Sequence, residues 1–355
     1  MKILIVSPGF SGGGAEDIAI NTANYFYNNG YEVTFVSFHS YGPAKKRLNV
    51  KIDLKIIKAT NYFSFSLNND LRSIKYIHTF SFIRHTNIAT FLARLLSSIK
   101  TEKLHLVEVN TFDQQLELNF FSRLLQNSLL MFAYNYATDV IAVSTKVKLD
   151  IENKFLIKNK IRVIGNPCNT KKNLDDNLTV LKNIKKPKVV ANKFVAAGRL
   201  HYQKGFDELL LSFHKFLDNY NNDATLTIFG EGEQREELED YIRSYNLENK
   251  IYLPGYVDNL NERLREFDVF LMSSRYEGFG NVIVMALAEG LPCIAKKNIG
   301  GPDDILNSKT GLFYSSDEEL MYSLKNIIPK DYKIEDLLGQ AMEYSIENIC
   351  AEYLK

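Results

Sequence analysis

The sequence predicts an α/β protein of two domains, each a mostly parallel sheet with helices on both faces. Three observations carry that prediction. The chain is 355 residues long, more than one hydrophobic core comfortably serves. Short β-branched runs alternate with segments of helical period from end to end, the rhythm of strands joined by crossover helices. Glycine-rich turns stand where a strand should hand over to a helix, at Gly12–Gly14, Gly198–Gly205 and Gly278–Gly280, which is where parallel sheets form their ligand crevice.

In chain order, strands are expected at Lys2–Ser7, Glu32–Phe38, Ile52–Ile57, Lys75–Phe80, Lys103–Val109, Asp139–Val143 and Arg162–Ile164. The first runs into SPGFSGGGAEDIAINTANYFYNNG, whose glycines open a helix with Ile18, Thr22, Tyr25 and Phe26 on one side, closed by Gly30. Such a turn suits phosphate. It is not the dinucleotide fingerprint, because Asp17 stands where a third glycine is required. The Leu-, Phe- and Tyr-rich stretch Phe120–Tyr136 reads as a core helix, since it lacks the strongly basic polar face of a helix lying on a membrane. His105 reads as a core or edge residue of its strand.

Residues 1–168 form the first domain. From Asn166 the hydrophobic period lapses into NPCNTKKNLDDNLTVLKNIKKPK, so 169–188 is the linker. The second domain spans 189–335, with strands at Phe194–Ala197, Ala224–Phe229, Ile251–Tyr256, Phe267–Met272, from Leu291 and at Thr310–Phe313. The tail 336–355 is helical in pattern.

Two stretches of the second domain carry chemistry. Gly198-Arg199-Leu200-His201-Tyr202-Gln203-Lys204-Gly205 places an Arg and a Lys on one turn before a helix, where a planar fork and a point charge can clamp two phosphates. Ser273–Ala295 puts Glu277 in a glycine turn, Gly278-Phe279-Gly280, ahead of a helix opening at Asn281. Glycines there allow close backbone approach, and the helix dipole favours acceptor atoms.

The pattern S-x-Y-E-G-F-G-N-V-x-x-x-A-x-A-x-G-L-P, the G-R-L-x-x-x-K-G turn and the G-G-x-E turn at Gly13–Glu16 resemble the signatures of the retaining glycosyltransferases of family 4. The resemblance spans the second domain almost end to end; in the first it is confined to the glycine turn and the general rhythm. It implies the GT-B fold of two facing Rossmann-like domains with a cleft between them, the last helix returning to the first domain. It implies a donor site of Gly13, Gly14, Gly230, Val257, Gly278, Phe279, Gly280, Asn281, Val282 and Met285. Arg199 and Lys204 would hold the diphosphate and Glu277 the sugar, as catalytic residues, with Glu108 and Asn110 on the acceptor side.

Two positions depart from the family pattern. Met285 stands eight residues after Glu277, where the family has a second Glu gripping the ribose, and Glu289 is one helical turn too late to replace it. Val109 stands where a His is usual. A sugar-nucleotide-binding protein with reduced or lost transfer is therefore the alternative reading. A nucleotide-sugar epimerase lacks its carboxylate and His pairing here, and a dehydrogenase lacks the glycine fingerprint.

Composition sets further bounds. No Asp-x-Asp and no metal-ligand spacing occurs, so a metal-free transfer without cofactor is expected. Cys168, Cys293 and Cys350 lie far apart, which suits a reducing compartment. No run approaches the length of a membrane span or of a signal peptide, so the expected place is the cytoplasm. Residues 1–168 carry 20 Lys and Arg against 12 Asp and Glu, leaving 23 against 30 for the rest. That basic half, with Lys146, Lys148, Lys154, Lys158, Lys160 and Arg162 within it, suits anionic lipid or an acceptor diphosphate, or equally the acidic half. No aromatic-interleaved motif points to nucleic acid. The expected partners are a nucleoside-diphosphate sugar, with UDP favoured, and a glycan or polyprenyl-diphosphate-linked saccharide.

Overall fold

Two parallel sheets organise the chain, and both are wound the same way. A computed structural model describes residues 1–57, 65, 70–112, 119–158, 160–170, 178–181 and 188–355. Among these, the first sheet contains β1 (Lys2–Ser7), β2 (Glu32–Ser37), β3 (Asp53–Ile56), β4 (Lys75–Phe82), β5 (Lys100–Glu108), β6 (Asp139–Ala142) and β7 (Ile161–Val163), in the order β3-β2-β1-β4-β5-β6-β7. The second contains β8 (Lys193–Ala197), β9 (Thr225–Phe229), β10 (Ile251–Gly255), β11 (Val269–Met272), β12 (Cys293–Lys296) and β13 (Gly311–Tyr314), in the order β10-β9-β8-β11-β12-β13. Each order reverses direction once, between β1 and β4 and between β8 and β11, which creates a topological switch point in each sheet.

The helices are α1 (Gly14–Asn28), α2 (Arg84–Leu95), α3 (Phe120–Tyr136), α4 (Thr145–Lys154), α5 (Phe206–Asn219), α6 (Arg235–Ser244), α7 (Leu260–Leu264), α8 (Asn281–Ala288), α9 (Pro302–Ile305), α10 (Asp317–Asn326), α11 (Ile334–Glu343) and α12 (Ile346–Tyr353). Strands covered on both faces read as continuous apolar runs: in β1, Ile3, Leu4, Ile5 and Val6 are fully buried. In α5 the apolar residues Phe206, Leu209, Leu210, Phe213, Phe216 and Leu217 all face the core, as their spacing requires.

The chain divides into Met1–Cys168 with Ile346–Lys355, and Asn169–Ser345. The tail from 336 is thus two helices, not one. α11 packs on α8 in the second unit, while α12 packs on α1 in the first. Of the segment read as a linker, 171–177 and 182–187 lie outside the described residues.

α3 departs from its expected place in the core. Leu130, Ala133 and Tyr134 are buried, but Phe121, Leu124, Leu125, Phe132 and Tyr136 are exposed, Leu125 by 61% and Phe132 by 60%. Residues 121, 125, 128 and 132 share one helical face, so the helix is apolar on its outer side as well. Periodicity marks an apolar stripe without telling whether a partner covers it.

His105 anchors a buried polar row in the first sheet. Its Nε2 lies 2.9 Å from His78 Nδ1 and its Nδ1 2.6 Å from Asp139 Oδ1, while Arg162 donates to Asp139 Oδ2 at 2.9 Å and to the Glu352 carbonyl in α12. Burial pushes the Asp139 carboxyl up, yet the bonds from His105 and Arg162 outweigh it and leave it below the ordinary range. Burial, then the neighbouring charges of His105 and Lys103, lowers His78 to about 4. An unfolded chain protonates this ring near 6.5, so between those values the unfolded state binds more protons and stability falls as the pH drops. Melting followed from pH 7 to 4 should show this loss, of order 3 kcal/mol at most from His78, and His78→Gln should flatten it.

Candidate active site

The loops after β8 and β11 meet at the switch point of the second sheet. Gly205, in the left-handed conformation (φ 61°), turns the first loop into α5; a Cβ there would lie 2.4 Å from the Ser273 carbonyl, so only glycine allows this approach. Ser273 Oγ donates to the Lys204 carbonyl at 2.8 Å, Arg275 N to the Gln203 carbonyl at 2.8 Å and Gln203 Nε2 to the Tyr276 carbonyl at 3.0 Å. The Lys204 ammonium then reaches Glu277 Oε1, which also accepts from Ser274 Oγ at 2.7 Å. Glu277 is only 6% exposed, and its own N–H donates to the Ile299 carbonyl at 2.7 Å.

Arg275 fastens the two loops together. It donates to both Asp207 oxygens (3.0 and 2.7 Å), to Glu208 Oε1 (3.1 and 2.8 Å) and to the Tyr202 carbonyl (2.5 Å), with its guanidinium 3.9 Å over the Tyr202 ring. Burial raises the Asp207 carboxyl, but the Arg275 bond overrides that and holds it low. Arg275 sits inside the motif that drew attention to Glu277, and its fork shape was the signal for a tethering role. Arg199, on the same loop as Lys204, is exposed and makes no hydrogen bond or ion pair among the described residues.

Three amides beside this pair have no acceptor among the described residues. Gly278, Phe279 and Gly280 are buried, and none of their N–H groups donates a hydrogen bond among the described residues. Buried amides are nearly always paired, so three in succession before a helix start form a ready receptor for acceptor atoms. Gly300 and Gly301 close one side, since a Cβ on either would lie about 2 Å from the backbone of Glu277 or Phe279. On α8 only Asn281, Val282 and Met285 escape burial in the first two turns. Glu289 is 1% exposed and held by Arg265 Nε at 2.6 Å. Gly230 is a packing residue, its N–H donating to the Gly255 carbonyl at 2.9 Å, while Val257 lies half-exposed just past β10.

The first unit fills its own rim. The amides of Gly12 and Gly13 donate to Glu16 Oε2 at 2.7 and 2.9 Å, and Ser11 Oγ at 2.6 Å. Burial pushes Glu16 up, but these bonds prevail and leave its carboxyl below the usual range. The glycine turn therefore holds the carboxylate of its own helix, and Gly13 spends its amide there; Gly14 is exposed at the start of α1. Glu108 is fully buried, bonded by Arg84 Nε at 3.2 Å, Tyr134 Oη at 2.7 Å and Asn110 N at 3.3 Å. That corrects its expected place facing an acceptor: the strand end is sealed by α2 and α3. Asn110 is half-exposed, its carbonyl accepting from Arg84 at 2.9 Å. Val109 is buried. Two histidines escaped the sequence reading, His39 just past β2 and His85 on the first turn of α2, where burial and then His39 lower its pKa. Their position immediately after strand ends was the available signal.

The family comparison agrees with this geometry. Residues 12–172 match the family described as Glycosyltransferase Family 4, and residues 181–331 the family described as Glycosyl transferases group 1. The chain belongs to the group 1 glycosyltransferases. This glycosyltransferase is 26% identical over 358 residues, covering 98% of the chain and 95% of the relative, to the amylovoran biosynthesis glycosyltransferase AmsD of Erwinia amylovora. It is 26% identical over 257 residues, 71% of the chain and 67% of the relative, to the N-acetylgalactosamine-N,N'-diacetylbacillosaminyl-diphospho-undecaprenol 4-alpha-N-acetylgalactosaminyltransferase of Campylobacter jejuni. Its fold matches Anabaena HepE, solved in complex with UDP, with a TM-score of 0.77 at 16% identity, covering 100% of the chain and 98% of HepE. The glycosyltransferase has the GT-B class of fold, two Rossmann-like domains on parallel sheets.

The Glu108 pair yields a stability test. Arg84→Met leaves a buried carboxylate without its cation, which should cost about 3–5 kcal/mol in urea unfolding. A change under 1 kcal/mol would mean that Tyr134 and the backbone suffice.

Proposed function

We propose that the protein transfers a hexose or N-acetylhexosamine from a nucleoside-diphosphate sugar, with UDP the favoured nucleotide, to a lipid-linked or cell-surface saccharide, with retention and without a divalent metal. The observation that carries this reading is the row of unpaired buried amides at Gly278–Gly280 beside the Lys204–Glu277 pair. Lys204 keeps two protons beyond the one on Glu277 and, with Arg199, meets the charge that grows as the diphosphate leaves. Glu277, fixed by Ser274 and Lys204, steadies the sugar. The acceptor oxygen bonds to the anomeric carbon on the face that the diphosphate leaves, and its proton passes to the departing phosphate oxygen. The names of the Campylobacter and Erwinia relatives support a saccharide acceptor, one of them on a polyprenyl diphosphate, and UDP in HepE supports the nucleotide.

Lys204→Met should lower kcat/KM about 10²- to 10³-fold in a coupled assay of nucleoside-diphosphate release, with the wild-type rate unchanged by EDTA. An inverted anomer by NMR, or a rate that EDTA abolishes and metal restores, would refute the mechanism. Saturable donor binding with no release, even slow release without acceptor, would favour a binding protein instead.

A lipid-linked acceptor brings the enzyme to the cytoplasmic membrane face, and the outer stripe of α3 supports that contact. Its only charged residue is Arg123, and the unit that bears it is basic. No described helix is long and apolar enough to cross a membrane, so the contact would be peripheral. The chain should sediment with phosphatidylglycerol vesicles, and Leu124→Ser with Leu125→Ser should cut the bound fraction severalfold at unchanged melting temperature. Undiminished binding by the double variant would exclude α3.

A further inference from the structure

The apolar outer side of α3 ends on a cation that no described residue neutralises. Phe121, Leu125, Phe132 and Tyr136 follow one another along that side, all exposed, in a stripe about 22 Å long. At its far end the Arg94 guanidinium of α2 lies 5.1 Å over the Tyr136 ring, and Phe91 meets the same ring edge-to-face at 5.3 Å. Arg94 makes no hydrogen bond or ion pair among the described residues, and its Nη1 is buried without an acceptor.

A buried donor without an acceptor is uncommon, and one that belongs to a charged group more so. Stacking on a ring occupies the flat face of a guanidinium but leaves its N–H groups at the edge, in the fork that matches two phosphate oxygens. No acidic residue stands on α2 or α3, whose arginines are Arg84, Arg94 and Arg123. Arg84 is bonded to Glu108, whereas Arg94 and Arg123 have no ion pair among the described residues. Leu95 and Leu96, next to Arg94, are both exposed. An unpaired fork flanked by exposed leucine and phenylalanine is the complement of an amphiphile headed by a phosphate. Its tails meet the apolar side chains, its phosphate meets Arg94, and the ring of Tyr136 suits the level between them.

We propose that Arg94, stacked on Tyr136, binds the headgroup phosphate of a membrane phospholipid, and that the surface of α2 and α3 thereby selects anionic bilayers. This rests on the membrane contact of α3 given above and adds the group that reads the lipid.

Sedimentation of the full chain with vesicles of phosphatidylcholine alone, and of phosphatidylcholine mixed with phosphatidylglycerol, tests this. The mixed vesicles should bind it more tightly. Arg94→Gln should weaken that binding about fivefold and leave the weaker binding to pure phosphatidylcholine within about twofold. Arg94→Lys, which keeps the charge and gives up the fork, should fall between the two, and it carries the test should the glutamine variant fail to fold. Mixed-vesicle binding by Arg94→Gln equal to that of the unaltered protein overturns the proposal, and binding by Arg94→Lys equal to it removes the phosphate from the fork. A dimer seen by ultracentrifugation and dissolved by Leu125→Ser also overturns it, by giving the stripe to a second copy. A chain that binds neither kind of vesicle defeats the membrane contact itself, an outcome distinct from binding that ignores Arg94.

Discussion

The second unit depends on one meeting of two loops. Lys204 and Glu277 are 73 residues apart in sequence. The adjacency of β8 and β11 brings them together, and the backbone bonds from Ser273, Arg275 and Gln203 lock them in register. The nearly buried carboxylate has a second partner, Ser274 Oγ, which donates to the same oxygen that the Lys204 ammonium reaches. Arg275, spread across Asp207, Glu208 and Tyr202, keeps the loops from parting.

That arrangement leaves donors open in one unit and closed in the other. At the first sheet's switch point the glycine turn folds around Glu16, and the end of β5 is plugged by Glu108 with Arg84 and Tyr134. At the second, the turn glycines are spent on close packing of backbone against backbone, and the amides of Gly278–Gly280 find no acceptor among the described residues. The same topology thus yields a self-sufficient rim and a receptive one. The difference lies in whether an acidic side chain follows the turn closely enough to fold back on it: Glu16 is three residues past Gly13, whereas α8 opens with Asn281, Val282 and Ile283.

The departures from the family pattern fit this picture. Met285 does not disturb α8, because that position faces outward and an unbranched side chain suits a helix. Glu289, one helical turn too late to replace the missing carboxylate, is held by Arg265 Nε at 2.6 Å. The replacement at 285 thus leaves the meeting of Lys204 with Glu277 intact.

By itself the sequence determined the fold class, the strands and most helices, because parallel α/β structure is written in local period: apolar runs where both faces are covered, a 3.6 period where one is. It also marked the turns bearing Arg199, Lys204 and Glu277, since glycine spacing and charge type are local facts. It misplaced Glu108 and α3, and overlooked His39 and His85. Whether a carboxylate faces a ligand or a buried guanidinium, and whether an apolar stripe is covered, depends on which elements become neighbours. Only the tertiary structure decided those points, because strand order, set by contacts far apart in the chain, chooses the surroundings of every side chain.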